Sequence, residues 1–271
     1  MDKVVFIMSV YKNDVAQDLY SSLLSIKNQT YKNTSLCLCK DGPLPNELEM
    51  VIDNFKKEYN DVHIIVNNHN LGLAKSLNNM IDYVINRTGA KYIARMDSDD
   101  RSRNNRIETQ VEYIKKHGLH VCGSFCKEFG ASYALDIKSV PIKNDDIYDT
   151  AISRCPFIHP TVVFDKEVFQ LGVRYPEDTS FTEDMALWFK LIEKKMRLGN
   201  VPEVLLDYRL NENTIKRRLG WKKGYCEFIL RLEYMVRLNR VSFLNCIKIL
   251  TRLPFHLMPV FIIKLLYKYG R

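Results

Sequence analysis

Three carboxylates stand within four residues at Asp97-Ser98-Asp99-Asp100. Carboxylates this close repel one another, so the group is unfavourable unless a cation or hydrogen-bond donors neutralise it. Sites made only of carboxylate oxygens suit Mg²⁺ or Mn²⁺, which bind one or two carboxylates together with substrate phosphates. The alternative is a solvated turn in which Asp100 or Ser102 caps the next helix. Because the group directly follows an apolar strand, we favour the metal site.

A second pair of carboxylates, Glu183-Asp184, opens a segment whose apolar residues recur with helical spacing. Trp188 follows Asp184 by four residues and lies on the same face of such a helix. A carboxylate beside an aromatic ring suits a sugar site, where it supplies a base next to an apolar platform. The alternative is that acidic residues simply favour the positive end of a helix dipole. The residues alone leave both interpretations open.

Two further features give weaker indications of a ligand site. The run from Asn70 to Asn78 enters a predicted helix through Gly72, and its backbone N–H groups are candidates for holding an anion. An ordinary junction between a loop and a helix explains the same pattern. His159 precedes Pro160, and a single histidine in this setting is more often packed or hydrogen bonded than bound to a ligand.

The elements that must position these residues alternate between strand and helix through the first half of the chain. Apolar runs predict strands at 4–10, 35–39, 62–66 and 91–96. Helical patterns predict helices at 15–28, 46–59, 73–85 and 103–117. The alternation predicts an α/β fold with parallel strands, in which ligands bind beyond the carboxyl ends of the strands. Asp41, Asn70 and the Asp97–Asp100 group all fall at those ends.

The second half is less regular. Helical spacing predicts a helix at 182–194, and an apolar stretch at 201–210 predicts an edge strand. Helical patterns dominate after Trp221, with breaks at Pro254 and Pro259. No apolar run is long enough to predict a transmembrane helix, and the N-terminus has no signal-peptide cleavage site. The seven cysteines form no C-x-x-C motif, which predicts free thiols in a reducing cytoplasm.

Charge divides the chain of 271 residues, whose net charge is +8. Residues 216–271 hold 13 basic and 2 acidic side chains, net +11, and residues 1–215 hold 27 and 30, net −3. Basic helices rich in bulky apolar residues favour an anionic membrane surface. The alternatives are a helical subdomain packed on the rest of the chain and a nucleic-acid-binding patch. The side chains expected to enter the membrane are Phe255, Leu257, Phe261, Ile262 and Leu265.

Eight short motifs occur in one order along the chain. They are Ser9-Val10-Tyr11, Asp41-Gly42, the run from Asn70 to Asn78, Asp97-Ser98-Asp99-Asp100, Arg106-Ile107-Glu108-x-Gln110, His159-Pro160, Glu183-Asp184-x-x-Leu187-Trp188 and Tyr208-Arg209. Together they resemble a family 2 glycosyltransferase with the GT-A fold. The resemblance implies a Rossmann-like, mostly parallel sheet flanked by helices in residues 1–215, with a helical C-terminal extension in residues 216–271.

The resemblance also implies roles on the side of the sugar donor. Tyr11, Asp41 and Asn70 would bind the nucleotide, with Asp41 hydrogen bonded to the uracil ring. Asp97 would contact the ribose, and Asp99 would bind the Mn²⁺ or Mg²⁺ that bridges the diphosphate.

On the acceptor side, the resemblance makes Asp184 the general base and places Glu183 and Trp188 against the acceptor. In this family a histidine often follows the Tyr-Arg motif, but Leu210-Asn211 stands here after Tyr208-Arg209. His159 is therefore the nearby candidate for a histidine ligand to the metal.

The resemblance implies an inverting, metal-dependent hexosyltransferase, in agreement with the carboxylates found at the strand ends. The donor would be a UDP-sugar, with glucose or galactose as the hexose, and a hydroxyl of a GlcNAc- or GalNAc-diphosphate-polyprenol would be the acceptor. The product would be a β-linkage in O-antigen or another surface polysaccharide. The enzyme would lie in the bacterial cytoplasm, peripheral on the inner membrane, with no nucleic-acid partner.

Two rival functions remain for comparison. A sugar nucleotidylyltransferase also uses parallel βαβ units, but it needs a Gly-, Arg- and Lys-rich loop where Ser9-Val10-Tyr11-Lys12-Asn13 stands. A non-catalytic nucleic-acid-binding protein would spread basic charge over an aromatic surface, whereas residues 1–215 carry a net negative charge.

Overall fold

The computed structural model describes residues 1–179, 182–214, 220–252, 254 and 258–269. The predicted domain boundary at 215/216 and the side chains of Phe255 and Leu257 lie outside these residues. The strands of the described part are β1 (Val4–Val10), β2 (Thr34–Asp41), β3 (Val62–Asn67), β4 (Tyr92–Arg95), β5 (Arg101–Ser102), β6 (Val121–Phe129), β7 (Val163–Asp165) and β8 (Leu198–Arg209). Its helices are α1 (Ala16–Lys27), α2 (Asn46–Glu58), α3 (Leu73–Arg87), α4 (Arg106–His117), α5 (Asn144–Thr150), α6 (Glu167–Gln170), α7 (Glu183–Glu193), α8 (Trp221–Arg237), α9 (Phe243–Leu250) and α10 (Val260–Tyr269).

The strands form one sheet in the order β3-β2-β1-β4-β7-β6-β8-β5. The pairs β1–β2, β1–β4, β2–β3 and β6–β8 are parallel, and β7 joins the two halves by antiparallel pairing with β4 and β6. The predicted α/β class with a mostly parallel sheet and flanking helices is confirmed, and so is the helical C-terminal region. The edge strand predicted at 201–210 is wrong, because β8 lies between β6 and the two-residue β5.

Alternating side chains of the strands build a core on each face of the sheet. In β1, Val5 and Ile7 pack with residues of α3 and α7, whereas Phe6 and Met8 pack with residues of α1, α2 and α4. This two-sided burial explains why the strand sequences are continuous apolar runs with no polar alternation. The sheet is therefore held rigidly between two helical layers, and its carboxyl edge is open to carry polar residues.

The C-terminal helices are joined to the rest of the molecule by two arginines. Arg231 is buried and donates to the carbonyls of Ala151 and Ile152, at 3.3 and 2.5 Å. Arg252 donates to the carbonyl of Ser153 at 2.8 Å. Farther along, Ile263 of α10 packs in a cluster with Tyr133 and Leu210. The packed helical subdomain, one of the alternatives considered for the basic region, is thus part of the structure.

Among the described residues, no helix is both long enough and apolar enough to span a bilayer.

Candidate active site

The carboxyl ends of β1, β2 and β4 meet at one edge of the sheet, and the predicted donor-side residues lie there. Tyr11 follows β1, Asp41 ends β2, and Asp97 comes two residues after β4. Parallel pairing of β1 with both neighbours produces this juxtaposition, because it turns the three carboxyl ends the same way.

Asp97, Asp99 and Asp100 form one carboxylate group, in which an oxygen of each lies within 4.8 Å of the others. Asp100 is completely buried. Its Oδ1 accepts a hydrogen bond from the Arg209 N–H at 2.7 Å, while its Oδ2 has no hydrogen-bond partner among the described residues. An orphaned, buried carboxylate oxygen within an all-oxygen group fits a hard divalent cation.

The helix-capping alternative for this group is wrong. The next helix, α4, begins at Arg106, and the residue at its N-cap is Asn105, which makes no side-chain capping bond. Strand β5 lies between the carboxylates and that helix. The carboxylates are therefore held by the sheet edge.

Burial and mutual repulsion raise the pKa values in this region. Burial, followed by the charges of Asp97 and Asp14, raises the pKa of Asp99 to about 7. Burial and the charges of Asp97 and Asp99 raise the pKa of Asp100 well above its ordinary value. Burial also raises the pKa of Asp14 to about 6. A cation placed among these carboxylates would relieve the repulsion that destabilises their charged forms.

The motifs had not pointed to Asp14, which the structure brings to the carboxylate group. Its Oδ2 accepts hydrogen bonds from Ser98 Oγ at 2.8 Å and from the Tyr11 N–H at 3.1 Å. The turn that carries Tyr11 is thereby tied to the Asp97–Asp100 loop. The position of Asp14, just beyond the carboxyl end of β1, is the signal that could have identified it.

In the Tyr208-Arg209 motif, the arginine holds neighbouring parts of the site together. Its Nε donates to the carbonyl of Asp99 at 3.1 Å, and its Nη2 forms an ion pair with Asp18 at 2.6 Å. The guanidinium also lies over the ring of Phe129, 4.6 Å from its centre. Arg209 thus fastens the carboxylate loop to α1 and β6.

Asp41 holds the loop that contains Asn70. Its Oδ1 accepts from the Leu71 N–H at 2.8 Å and from Asn67 Nδ2 at 2.9 Å, and its Oδ2 accepts from the Gly72 N–H at 3.0 Å. The prediction that these N–H groups receive an anionic ligand is wrong for Leu71 and Gly72, because the Asp41 carboxylate already occupies them. Asn70 lies beside this bond network, with its side-chain amide 3.5 Å from the Asp41 carbonyl.

On the acceptor side, α7 begins at Glu183 as predicted, so Glu183 and Asp184 lie in its first turn. Burial raises the pKa of Glu183. Trp188 is 0% exposed and packs against Phe157 and Phe164. The predicted sugar platform at Trp188 is therefore wrong, because the face of α7 that the tryptophan occupies is the face turned to the core.

His159 is hydrogen bonded inside the protein, which was the alternative to a ligand role. Its Nε2 lies 2.8 Å from the Tyr175 hydroxyl, and burial together with the charge of Arg95 lowers its pKa well below the ordinary value. The Asp97, Asp99 and Asp100 group found among the described residues does not include it. The prediction of His159 as a metal ligand therefore finds no support in this geometry.

Tyr175 is a buried residue whose hydroxyl responds to both sets of carboxylates. Burial raises its pKa, the charge of Arg95 opposes this, and the charges of Asp184, Glu183 and Asp97 raise the pKa further. Its backbone N–H and carbonyl are both bonded to the side chain of Asn78, at 2.9 Å each. The charges of the donor-side and acceptor-side carboxylates thus act on one buried tyrosine.

Residues 5–167 match the family model described as Glycosyl transferase family 2. The chain belongs to this family. Among curated relatives, it is 31% identical to an Escherichia coli UDP-Gal:alpha-D-GlcNAc-diphosphoundecaprenol beta-1,3-galactosyltransferase, covering 98% of this chain and 95% of that protein. It is 29% identical to the amylovoran biosynthesis glycosyltransferase AmsE of Erwinia amylovora, covering 98% of both chains.

Solved structures show that this family 2 glycosyltransferase has a GT-A-like fold. The Staphylococcus aureus TarS fragment 1–349 in complex with UDP-GlcNAc matches with a TM-score of 0.66 at 14% identity, over 91% of this chain and 69% of that chain. The mannosyltransferase PcManGT from Pyrobaculum calidifontis, in complex with GDP-Man and Mn²⁺, matches with a TM-score of 0.63 at 13% identity, over 99% of this chain and 84% of that one.

Proposed function

We propose that this glycosyltransferase moves a hexose, galactose or glucose, from UDP to a hydroxyl of a GlcNAc- or GalNAc-diphosphate-polyprenol, with inversion and formation of a β-linkage. The observation that carries the proposal is the carboxylate group of Asp97, Asp99 and Asp100 at the carboxyl edge of the sheet, of which Asp100 is buried and the other two are partly exposed. The E. coli relative supports the choice of donor and lipid-linked acceptor, since its name states UDP-Gal and GlcNAc-diphosphoundecaprenol. Its role would be in the synthesis of O-antigen or another surface polysaccharide.

The donor side would bind a nucleoside diphosphate. Asp99 and Asp100 would hold Mn²⁺ or Mg²⁺, with Asp97 turned to the ribose, and such an ion stabilises the negative charge that grows on a departing diphosphate. Tyr11 would line the base pocket. Asp41 already accepts three hydrogen bonds, and a carboxylate with about four acceptor positions retains one for a uracil N–H.

The acceptor side would supply the base. Asp184, in the first turn of α7, would take the proton from the acceptor hydroxyl as it attacks the anomeric carbon opposite the diphosphate. A single direct displacement inverts that centre, so a UDP-α-hexose gives a β-linkage. Glu183 would contact the acceptor beside it.

The decisive test is a panel of UDP-sugars incubated with Mn²⁺ and a synthetic GlcNAc-diphosphate-lipid. We expect a product from UDP-Gal or UDP-Glc whose new linkage is β by NMR, and no product in the presence of a chelator. Formation of a nucleotide sugar from a nucleoside triphosphate would instead identify a nucleotidylyltransferase. Salt-dependent binding to DNA without any binding of UDP would identify the nucleic-acid-binding rival.

We further propose that the C-terminal helices bind the anionic inner surface of a bacterial membrane, where a lipid-linked acceptor resides. On α8, Trp221, Tyr225, Ile229 and Val236 share one exposed face, because they are separated by four, four and seven residues. On α9, Phe243 is 82% exposed, and Leu244 beside it is also exposed. The net charge of +11 after residue 215 adds electrostatic attraction.

The last helix has two different faces. Ile263 packs against the catalytic body, the part of the chain before residue 215, while Phe261 and Leu265 are exposed. Removing the chain after Thr251 would therefore disrupt intramolecular contacts as well as any membrane contact. Point substitutions on α9 give a cleaner test.

We expect Phe243→Ser combined with Leu244→Ser to weaken sedimentation with anionic vesicles by at least about 10-fold, because two large apolar side chains are lost from the interface. Binding of UDP, followed by thermal shift, should not change. Met50→Ser on α2 is the matched control, since Met50 is an exposed apolar residue of the catalytic body. Failure of the unmodified protein to sediment with anionic vesicles would contradict the membrane proposal.

A further inference from the structure

Arg95, the last residue of β4, is a buried cation beside the site. Its side chain is 2% exposed. Its backbone is anchored at both ends, because its N–H donates to the Val162 carbonyl at 2.8 Å and its carbonyl accepts from Nη2 of Arg106, the first residue of α4, at 2.9 Å. The backbone from which the Arg95 side chain projects is therefore held in a fixed position.

The guanidinium of Arg95 has one ionic partner in the described chain. Nη2 forms an ion pair with Asp97 Oδ1. Nε and Nη1 are buried and have no hydrogen-bond partner among the described residues. Buried charged donors without partners are unfavourable, so the orientation of this guanidinium depends on Asp97.

The orientation of the Asp97 carboxylate depends in turn on Arg95. The side chain of Asp97 is 31% exposed, and it carries the repulsion of Asp99 and Asp100. No other ion pair holds its carboxylate in the described part of the chain. Without the arginine, this side chain would turn toward solvent and away from its neighbours.

Resting on the proposed function, we infer that Arg95 is a positioning residue for donor binding. It holds the Asp97 carboxylate at the sheet edge, in the orientation that meets the ribose and the diphosphate-bound cation. Arg95 itself is sealed from solvent and acts through Asp97. An arginine suits this task, because its guanidinium stays charged and presents its donors in a fixed plane.

The test is a double-mutant cycle on Mn²⁺-dependent UDP binding, measured by calorimetry on the full chain. We expect Arg95→Met to raise the Kd for UDP by about 10-fold or more, and Asp97→Asn to do the same. The double variant should bind no more weakly than the weaker single variant, because one substitution already removes the shared interaction. Arg95→Lys should recover part of the affinity.

Lys91→Met is the matched control, since Lys91 precedes the same strand and pairs with Asp165 at 2.7 Å at its opposite end. We expect this variant to bind UDP as the unmodified protein does. Effects of Arg95→Met and Asp97→Asn that multiply in the double variant would overturn the inference, and so would an unchanged Kd in Arg95→Met. If Arg95→Met fails to fold, a second double-mutant cycle made from Arg95→Lys and Asp97→Asn replaces it. The same outcomes then support or overturn the inference. If the unmodified protein binds no UDP, the proposed function fails, and the inference fails with it.

Discussion

The two carboxylate sets of the site differ in how the protein tolerates them. Asp99 and Asp100 are packed against like charges, and one oxygen of Asp100 has no partner in the described chain. Glu183 and Asp184 instead lie in the first turn of α7, where the helix dipole favours negative charge. The first set is destabilised by burial and mutual repulsion, whereas in the second the helix dipole offsets part of the burial that raises the pKa of Glu183. This contrast supports the proposed division of roles, with electrostatic stabilisation on the donor side and proton transfer on the acceptor side.

The largest effect should come from breaking the donor-side set. We expect Asp99→Asn to reduce transfer by at least about 10³-fold, because the diphosphate loses a ligand to its stabilising ion. The same variant should melt at a higher temperature than the unmodified protein in a chelator, because one member of a repelling group is gone. Transfer assays and melts in EDTA measure both effects.

Asp136→Asn is the control for this substitution, since Asp136 is an exposed aspartate paired only with Lys127 in the described chain. It should change neither activity nor melting. Normal turnover of Asp99→Asn in a chelator would contradict the metal site.

A smaller effect is expected on the acceptor side. Asp184→Asn should lower kcat by roughly 10²- to 10⁴-fold, the usual contribution of a general base. Mn²⁺-dependent binding of UDP should persist, since the role proposed for this carboxylate is on the acceptor side. Glu193→Gln, at the other end of α7, should behave as the unmodified enzyme. Loss of UDP binding in Asp184→Asn would move this residue to the donor side and remove the contrast between the two sets.

The smallest effect concerns His159, which is half-buried and bonded to Tyr175. Its folded pKa lies well below 6.5 because of burial and the charge of Arg95, so the folded protein keeps it neutral while the unfolded chain protonates it below about pH 6.5. Its contribution to stability is therefore lost as pH falls below that value, by about 1 kcal/mol at pH 5.5.

Denaturant unfolding at pH 7.5 and 5.5 measures this contribution. His159→Gln keeps a polar group for Tyr175 and does not titrate, so it should lose about 1 kcal/mol less stability than the unmodified protein over this interval. An equal loss in both proteins would mean that the imidazole is not kept neutral by the fold.

Periodicity was enough to predict the four strands β1 to β4 and their carboxyl edge, because β1, β2 and β4 are buried on both faces and their composition shows it. The same reasoning misplaced Trp188. Spacing of four residues puts it on the face of Asp184, but every residue from Met185 to Phe189 is buried, so Trp188 is enclosed in the core. Periodicity predicts faces, and it does not predict where along a helix the core begins.

Pairing between distant polar groups was not predictable in this way. Asp41 and the N–H groups of Leu71 and Gly72 are about 30 residues apart, and Asp100 and Arg209 are 109 residues apart. Such partners depend on which strands become neighbours. Asp14 and Arg95 were missed for the same reason, since each has an ordinary residue type and gains its meaning only beside the Asp97–Asp100 loop.

The two arginine contacts to residues 151–153 limit how the C-terminal helices can be exchanged between proteins. Arg231 and Arg252 both donate to carbonyls just beyond the end of α5, and both also pair with Glu227. A chimaera that received its last fifty residues from a relative would need cations at both positions to satisfy those carbonyls. Any exchange of the C-terminal helices therefore has to preserve these two arginine contacts to the rest of the chain.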